Sequence, residues 1–174
     1  VLTKPIGTGI ISTATKRGLT SEVTRKKVIE LMSALNRIPA EIMKAFEVSA
    51  CTDVTGFGLI GHLREMVLKQ AVGVNLYAAA VPVLEEAREF ATAGLIPGGT
   101  QNNLTYVENE VTWPENLSQT ERLILCDAQT SGGLLIALAK EETQDLVKRL
   151  KKSGVEAVVI GEFTSANPGR IEMM

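Results

Sequence analysis

The stretch from Cys51 to Met66, CTDVTGFGLIGHLREM, constrains the fold more than any other part of the chain. The apolar residues Val48 to Cys51 before it read as the end of a strand. Gly56, Gly58 and Gly61 then give a turn, and Leu59, Ile60, Leu63, Met66 and Val67 fall on one face of a helix that ends before Gly73. In a strand, glycine-rich turn and helix, the helix N-terminus exposes unpaired N–H groups that attract anions. Glycines let a phosphate approach the backbone, and Asp53 stands where a carboxylate can hold a hard cation such as Mg²⁺ beside it. A second reading stays open: Asp53 or Thr55 as an ordinary N-cap, with Gly56 and Gly58 serving only the turn. The string is neither a Walker loop nor GxGxxG. His62 has no carboxylate partner that the sequence can name, and reads as a surface or capping residue.

A chain of 174 residues with 45% apolar and 22% charged residues suits a single domain. The net charge of −2 speaks against a nucleic-acid binder. One histidine and two cysteines leave too few soft ligands for a zinc site. Cys51 and Cys126 lie in apolar, strand-like segments and are expected to be reduced, which points to the cytoplasm. No apolar run approaches the ~20 residues of a membrane span, and no charged leader opens the chain. The first residue is Val1 and not Met, so a piece of a longer protein is expected.

VLTKPIGTGIISTA reads as extended, with Lys4 solvated at a strand end. Val28, Leu31, Met32 and Leu35 recur at helical spacing behind a Ser21 cap. Pro39 suits the first turn of a further helix, with Ile42, Met43 and Phe46 on its buried side. VGVNLYAAAVP reads as a strand, and a helix carrying Val83, Leu84, Ala87 and Phe90 is stopped by Gly94. PGGTQNN, from Pro97 to Asn103, meets every criterion for a loop, and residues 104–118 read as irregular. Two strands, Leu123–Cys126 and Leu134–Leu138, flank a polar loop over residues 127–133. Glu141 to Lys152 is an amphipathic helix ended by Gly154, VEAVVIGEF is a strand, and SANPGRIEMM is a tail or short final strand. This order predicts an α+β fold, a mixed sheet with helices packed on one face.

LTKPIGTG, ACTDVTGFGLIGHL, PGGTQNN and CDAQTSGGLLIAL, in this order, identify the chain as similar to selenophosphate synthetase (selenide, water dikinase). The resemblance runs from Leu2 to the final IGEF and covers only the C-terminal half of that enzyme. This half is the C-terminal domain shared with aminoimidazole ribonucleotide synthetase and its relatives, an α+β fold. Ala128 departs from the family, which has proline after the aspartate; the change bears on loop stiffness.

The resemblance implies residues 1–174 as one domain of a two-domain synthetase, whose N-terminal, ATP-binding domain lies outside this chain. It implies a reaction in which ATP, selenide and water give selenophosphate, AMP and phosphate, with Mg²⁺ as cofactor and a homodimer as the full-length state. Asp53 matches the family's metal aspartate in this half, and Thr52, Thr55, Gly56 and Gly58 match the nucleotide-binding turn around it. The family's catalytic Cys or selenocysteine and its lysine fall in the other half, so no catalytic residue is expected here, and Cys51 and Lys4 match neither. Asp127 is a second, weaker carboxylate candidate. Two alternatives remain: a domain of another enzyme of the same superfamily, against which TDVTGFGLIGH and QTSGGLL argue, and a non-catalytic binding module.

Overall fold

The computed structural model describes residues 1–174. Strand β1 (Val48–Asp53) runs antiparallel to β4 (Leu134–Leu138). A second group has the order β3 (Val111–Thr112), β6 (Ile171–Met173), β2 (Gly73–Leu76), β5 (Gly161–Thr164), with β6 parallel to both its neighbours and β5 antiparallel to β2. The first residues of the chain join the groups. Leu2 bridges Leu135 on one side and Val158 on the other, and Val158 lies three residues before β5. β1 thus stands at one outer end of this strand order, with the turn that follows it left open.

Helices supply most of the rest. α1 (Thr8–Lys16), α2 (Glu22–Ser33), α4 (Gly58–Val67), α5 (Glu85–Thr92), α6 (Gly98–Val107) and α7 (Gln119–Leu125) contribute Ile10, Val28, Leu63, Ala87, Leu104 and Ile124 to one hydrophobic cluster with Leu76 and Leu135. α3 (Arg37–Met43) and α8 (Lys140–Lys152) build a smaller cluster with Leu134 and Ile136. Alternation along β4 explains the division. Leu135 points one way and Leu134 and Ile136 the other, so α3 and α8 lie across the strand from the larger set. Leu146 and Leu150 are fully buried, each contributing about 2 kcal/mol of transfer free energy.

The α+β architecture with a mixed sheet is the expected one. β1, β4, α5, the Ser21 cap of α2 and the glycine end of α8 also stand where the sequence placed them: Ser21 Oγ accepts from Thr24 N–H at 3.0 Å, and Gly94 and Gly154 have left-handed φ values of 80° and 77°. Five segments differ. Ile10 to Thr13 belong to α1 and not to a strand, Leu123 to Leu125 belong to α7, and residues 98–103 open α6 instead of forming a loop. Gly73 begins β2; the chain leaves α4 through Lys69, at φ 61°. Residues 78–80 form a 3-10 turn, so the strand expected there is cut to Gly73–Leu76.

Lys4 is not solvated. It is 7% exposed, and its Nζ donates to the carbonyls of Leu31, Ala34 and Ser131 at 3.1, 2.6 and 2.8 Å. Leu31 and Ala34 lie at the C-terminal end of α2, where the helix dipole favours a cation. Burial lowers the Lys4 pKa, and the three carbonyls offset that cost. Lys4 thereby fastens the 127–133 loop to α2.

Candidate functional site

Three segments far apart in sequence, the start of α1, α6 and the 127–133 loop, meet beneath the glycine-rich turn. α1 has no side-chain cap of its own. Its first amides are taken instead by the 127–133 loop. Gln129 Oε1 accepts from the N–H of Gly7 and Thr8 at 3.0 and 3.2 Å. Asp127 Oδ2 accepts from those of Gly9 and Ile10 at 3.0 and 3.2 Å. This satisfies the donors that an uncapped helix start leaves orphaned. Gly9 is required here, because a Cβ would stand 2.2 Å from the Ala128 carbonyl oxygen. Thr100 of α6 donates to Asp127 Oδ1 at 2.8 Å, and Gln129 Nε2 donates to Oδ2 at 3.0 Å.

Burial pushes the Asp127 carboxyl up to about 6, while these four donors hold it down, and four donors aimed at its two oxygens are the surroundings of a carboxylate. Asp127 is fully buried and its oxygens are occupied. It is a structural anion and not a second cation ligand. The helix N-terminus of α1 is closed to phosphate for the same reason.

The turn itself rests on this support. Thr55 carbonyl accepts from Gln129 N–H at 3.0 Å, and Val54 N–H donates to Gly133 carbonyl at 2.9 Å. Asn103 Nδ2, from α6, donates to the carbonyls of Gly56 and Cys126 at 2.8 and 3.1 Å. Gly58 has φ 70°, and a Cβ there would stand 2.6 Å from the Cys126 carbonyl oxygen. Of the five residues that the sequence singles out, Gly58 is therefore buried against the support. Asp53 and Gly56 are exposed and Thr52 and Thr55 half-buried; a Cβ at Gly56 would meet nothing within 4 Å. Asp53 is not the cap of α4. That position is held by Phe57, with no side-chain cap bond.

His62 secures the turn from the first turns of α4. Its Nε2 accepts from Thr55 N–H at 3.0 Å and lies 3.0 Å from Thr55 Oγ1. Burial lowers the His62 pKa from 6.5, against the upward pull of the Asp53 and Glu65 carboxylates. A depressed folded-state pKa gives stability that is present above the unfolded value and lost as pH falls below it. The stability advantage of the native chain over a His62→Gln variant is therefore expected to shrink as pH drops through 6.5. Urea unfolding at a series of pH values checks this; an advantage that grows on acidification would contradict it.

Phe57, 56% exposed, stacks on Tyr106 with ring centroids 6.0 Å apart and meets His62 edge-on at 5.9 Å. Cys51 is exposed on β1 two residues before Asp53. Burial, then the Asp53 charge, raise its pKa, so it stays a thiol and makes a poor nucleophile. Cys126 is buried and pushed up to about 12 by burial. A cleft of about 720 Å³ lies between Lys4–Pro5, the end of α2 and Pro82–Glu85, away from Asp53. The polar chemistry gathers at the turn, which is therefore the candidate site.

What the turn can hold follows from its donors. Mg²⁺ prefers oxygen ligands and keeps several waters. The exposed Asp53 carboxylate fits one such ligand, and no group of three His, Cys, Asp or Glu side chains completes a metal site within the chain. The residues present offer one such ligand.

No helix is long and apolar enough to cross a membrane. The family model for the AIR synthase related protein, C-terminal domain, matches residues 1–173. Among curated relatives, the selenide, water dikinase of Pelobacter propionicus is 51% identical over 172 residues, covering 98% of this chain and 49% of its own. That of Carboxydothermus hydrogenoformans is 46% identical over 171 residues, with the same coverage of 98% and 49%. The chain thus spans about half the length of the curated relatives it matches. Among solved structures, hydrogenase maturation protein HypE in complex with ATP aligns with TM-score 0.62 at 18% identity, over 98% of this chain and 45% of that one. Thiamine-monophosphate kinase from Stenotrophomonas maltophilia aligns with TM-score 0.64 at 14% identity, over 99% and 48%. Identities this low carry the fold alone. The chain belongs to the family of the C-terminal domain of AIR synthase related proteins.

Proposed function

We propose that this chain is the C-terminal half of a selenophosphate synthetase, an enzyme that makes selenophosphate, AMP and phosphate from ATP, selenide and water. In this reading it supplies one wall of a Mg²⁺–ATP site, and a second, N-terminal domain supplies the rest and the catalytic residues. The observation that carries the reading is Asp53. Its carboxylate is exposed on a braced turn and does not cap α4, the role that would explain it structurally. Identities of 46–51% to selenide, water dikinases over 98% of the chain support the choice of substrates. ATP in the HypE complex suits the same reading.

Within such a site Mg²⁺ neutralises charge on the phosphate oxygens. Asp53 adds a fixed negative charge for the cation. The exposed backbone at Gly56 leaves room for a phosphate, Thr52 and Thr55 place hydroxyls beside it, and Gly58 holds the turn from behind. The full-length enzyme is proposed to be a cytoplasmic homodimer.

The isolated 174-residue chain, incubated with ATP, Mg²⁺ and selenide, is expected to show neither AMP nor selenophosphate by phosphorus NMR. A protein that also carries the N-terminal half is expected to show both. Robust turnover by the homogeneous 174-residue chain would sink the proposal, as would a full-length protein that consumes ATP without using selenide.

A further inference from the structure

The first residues of the chain act as a strand between the two strand groups, and the bonds on either side fix their register. Val1 and Ile136 exchange both backbone bonds. The Val1 ammonium donates to the Ile136 carbonyl at 2.8 Å, and Ile136 N–H to the Val1 carbonyl at 2.9 Å. On the opposite edge Leu2 and Val158 exchange theirs at 2.8 and 3.0 Å. Beyond Val1 the seam stays open. Strands that flank a third lie about 9–10 Å apart, twice the inter-strand spacing, and the gap between β4 and residues 159–163 carries a cleft on each face. One, of about 480 Å³, is lined by Val1, Leu138, Thr143, Val159 and Glu162 among others. The other, of about 670 Å³, has Met66, Val72, Ala137 and Phe163 in its walls. Ile160 stands at this gap, 3% exposed, and its N–H has no backbone acceptor, a rare state for a buried amide. Burial lowers the pKa of the Val1 ammonium to about 6. An uncharged peptide N–H would make the same bond to Ile136 without that cost.

We infer that this seam is the docking groove of the segment that immediately precedes Val1 in the full-length protein, which enters it as a strand and joins the two strand groups into one sheet. The inference rests on the N-terminal domain proposed above, whose connection reaches the chain here. Register follows from the bonds at Val1 and Leu2. In an antiparallel ladder the residues that exchange bonds recur at every second position. The residue before Val1 therefore falls opposite Ile160 and offers its carbonyl to the free N–H, and the residue before that falls opposite Leu138. Side chains alternate as well. Leu2 belongs to the larger hydrophobic cluster and Val1 to the smaller one. The residue before Val1 shares the face of Leu2 and enters the cleft of Met66, Val72, Ala137 and Phe163, so an apolar side chain is expected there. It covers Phe163, which is 39% exposed without it. A segment paired along both edges is a fixed stem and not a loose tether. It keeps the N-terminal domain at a set distance from the turn that bears Asp53.

Hydrogen exchange tests it. The Ile160 amide is expected to exchange at least about tenfold more slowly in the full-length protein than in the 174-residue chain, as an amide newly tied into a sheet. Equal exchange in the two would overturn the inference. A full-length variant whose three residues before Val1 are replaced by Pro-Gly-Pro separates pairing from mere coverage, because proline is excluded from central strands. It is expected to lose the protection at Ile160 while the Leu63 amide, within α4, stays protected and reports an intact fold. Protection at Ile160 that survives the replacement would mean that the N-terminal domain covers the gap without a strand in it, and the inference would be wrong. So would protection in the 174-residue chain that grows with protein concentration, since a second copy would then fill the groove. The readout does not depend on activity. A full-length protein that protects Ile160 yet makes no selenophosphate would refute the proposed function and leave the inference standing.

Discussion

Asp127→Ala is expected to destabilise the chain by about 4 kcal/mol, because it leaves several buried donors without their acceptor. The donors are the N–H groups of Gly9 and Ile10, the Thr100 hydroxyl and the Gln129 amide. They come from α1, α6 and the loop itself, so the loss spreads through all the segments that meet under the turn. Asp127→Asn is expected to cost less, because its amide oxygen can keep the donors at the Oδ2 position while its NH₂ donates to the Thr100 hydroxyl, leaving the lost anion at the start of α1 as the main effect. For Asp127→Ala, urea unfolding should show a large fall in midpoint with an unchanged slope, the signature of a stability change alone. A loss below about 1 kcal/mol, the scale of a single exposed bond, would mean that the cluster around Asp127 does not hold the site together.

The glycine-rich turn was legible in the sequence because its signals are local. Apolar periodicity gives α4, the short apolar run gives β1, and the glycines mark the join. α1 was not legible. Its Ile10-Ile11-Ser12-Thr13 run is β-branched and reads as extended, and its cap comes from Asp127 and Gln129, more than a hundred residues away. α6 hid for a related reason. Pro97, Gly98 and Gly99 are loop residues by propensity, but Thr100 and Asn103 turn inward to Asp127 and to the Gly56 and Cys126 carbonyls, and tertiary bonds override propensity. α7 carried a signal that apolar patterning masked. Ser118 and Glu121 have the spacing of a capping box, and Ser118 Oγ does accept from Glu121 N–H at 3.2 Å. Read as a helix start, that pair distinguishes Leu123–Leu125 from a strand.

The candidate site was legible only as a list of residues, not as their division of labour. Gly56 and Gly58 are equivalent in the string, yet Gly56 faces solvent and Gly58 backs onto Cys126. Asp53 and Asp127 are both carboxylates a few residues before glycines. One is exposed and the other fully buried, a difference that depends on which loop folds over which helix. His62 read as a capping residue, and the structure gives it that role toward Thr55.

The contrast between the two aspartates leads to the second large effect. Asp53→Asn changes a single exposed charge that caps no helix, and surface substitutions of this kind usually alter stability by no more than about 0.5 kcal/mol. A cation ligand is another matter, because an amide lacks the negative charge that Mg²⁺ needs. The decisive measurement is therefore the Mg²⁺-dependent formation of selenophosphate by full-length Asp53→Asn protein, taken with its melting temperature. Activity is expected to be at least about tenfold lower, the lower end of the loss expected for a disturbed metal site, with the melting temperature nearly unchanged. A variant that melts earlier but keeps its Mg²⁺-dependent activity per folded molecule would contradict it, and Asp53 would be a structural residue of the turn.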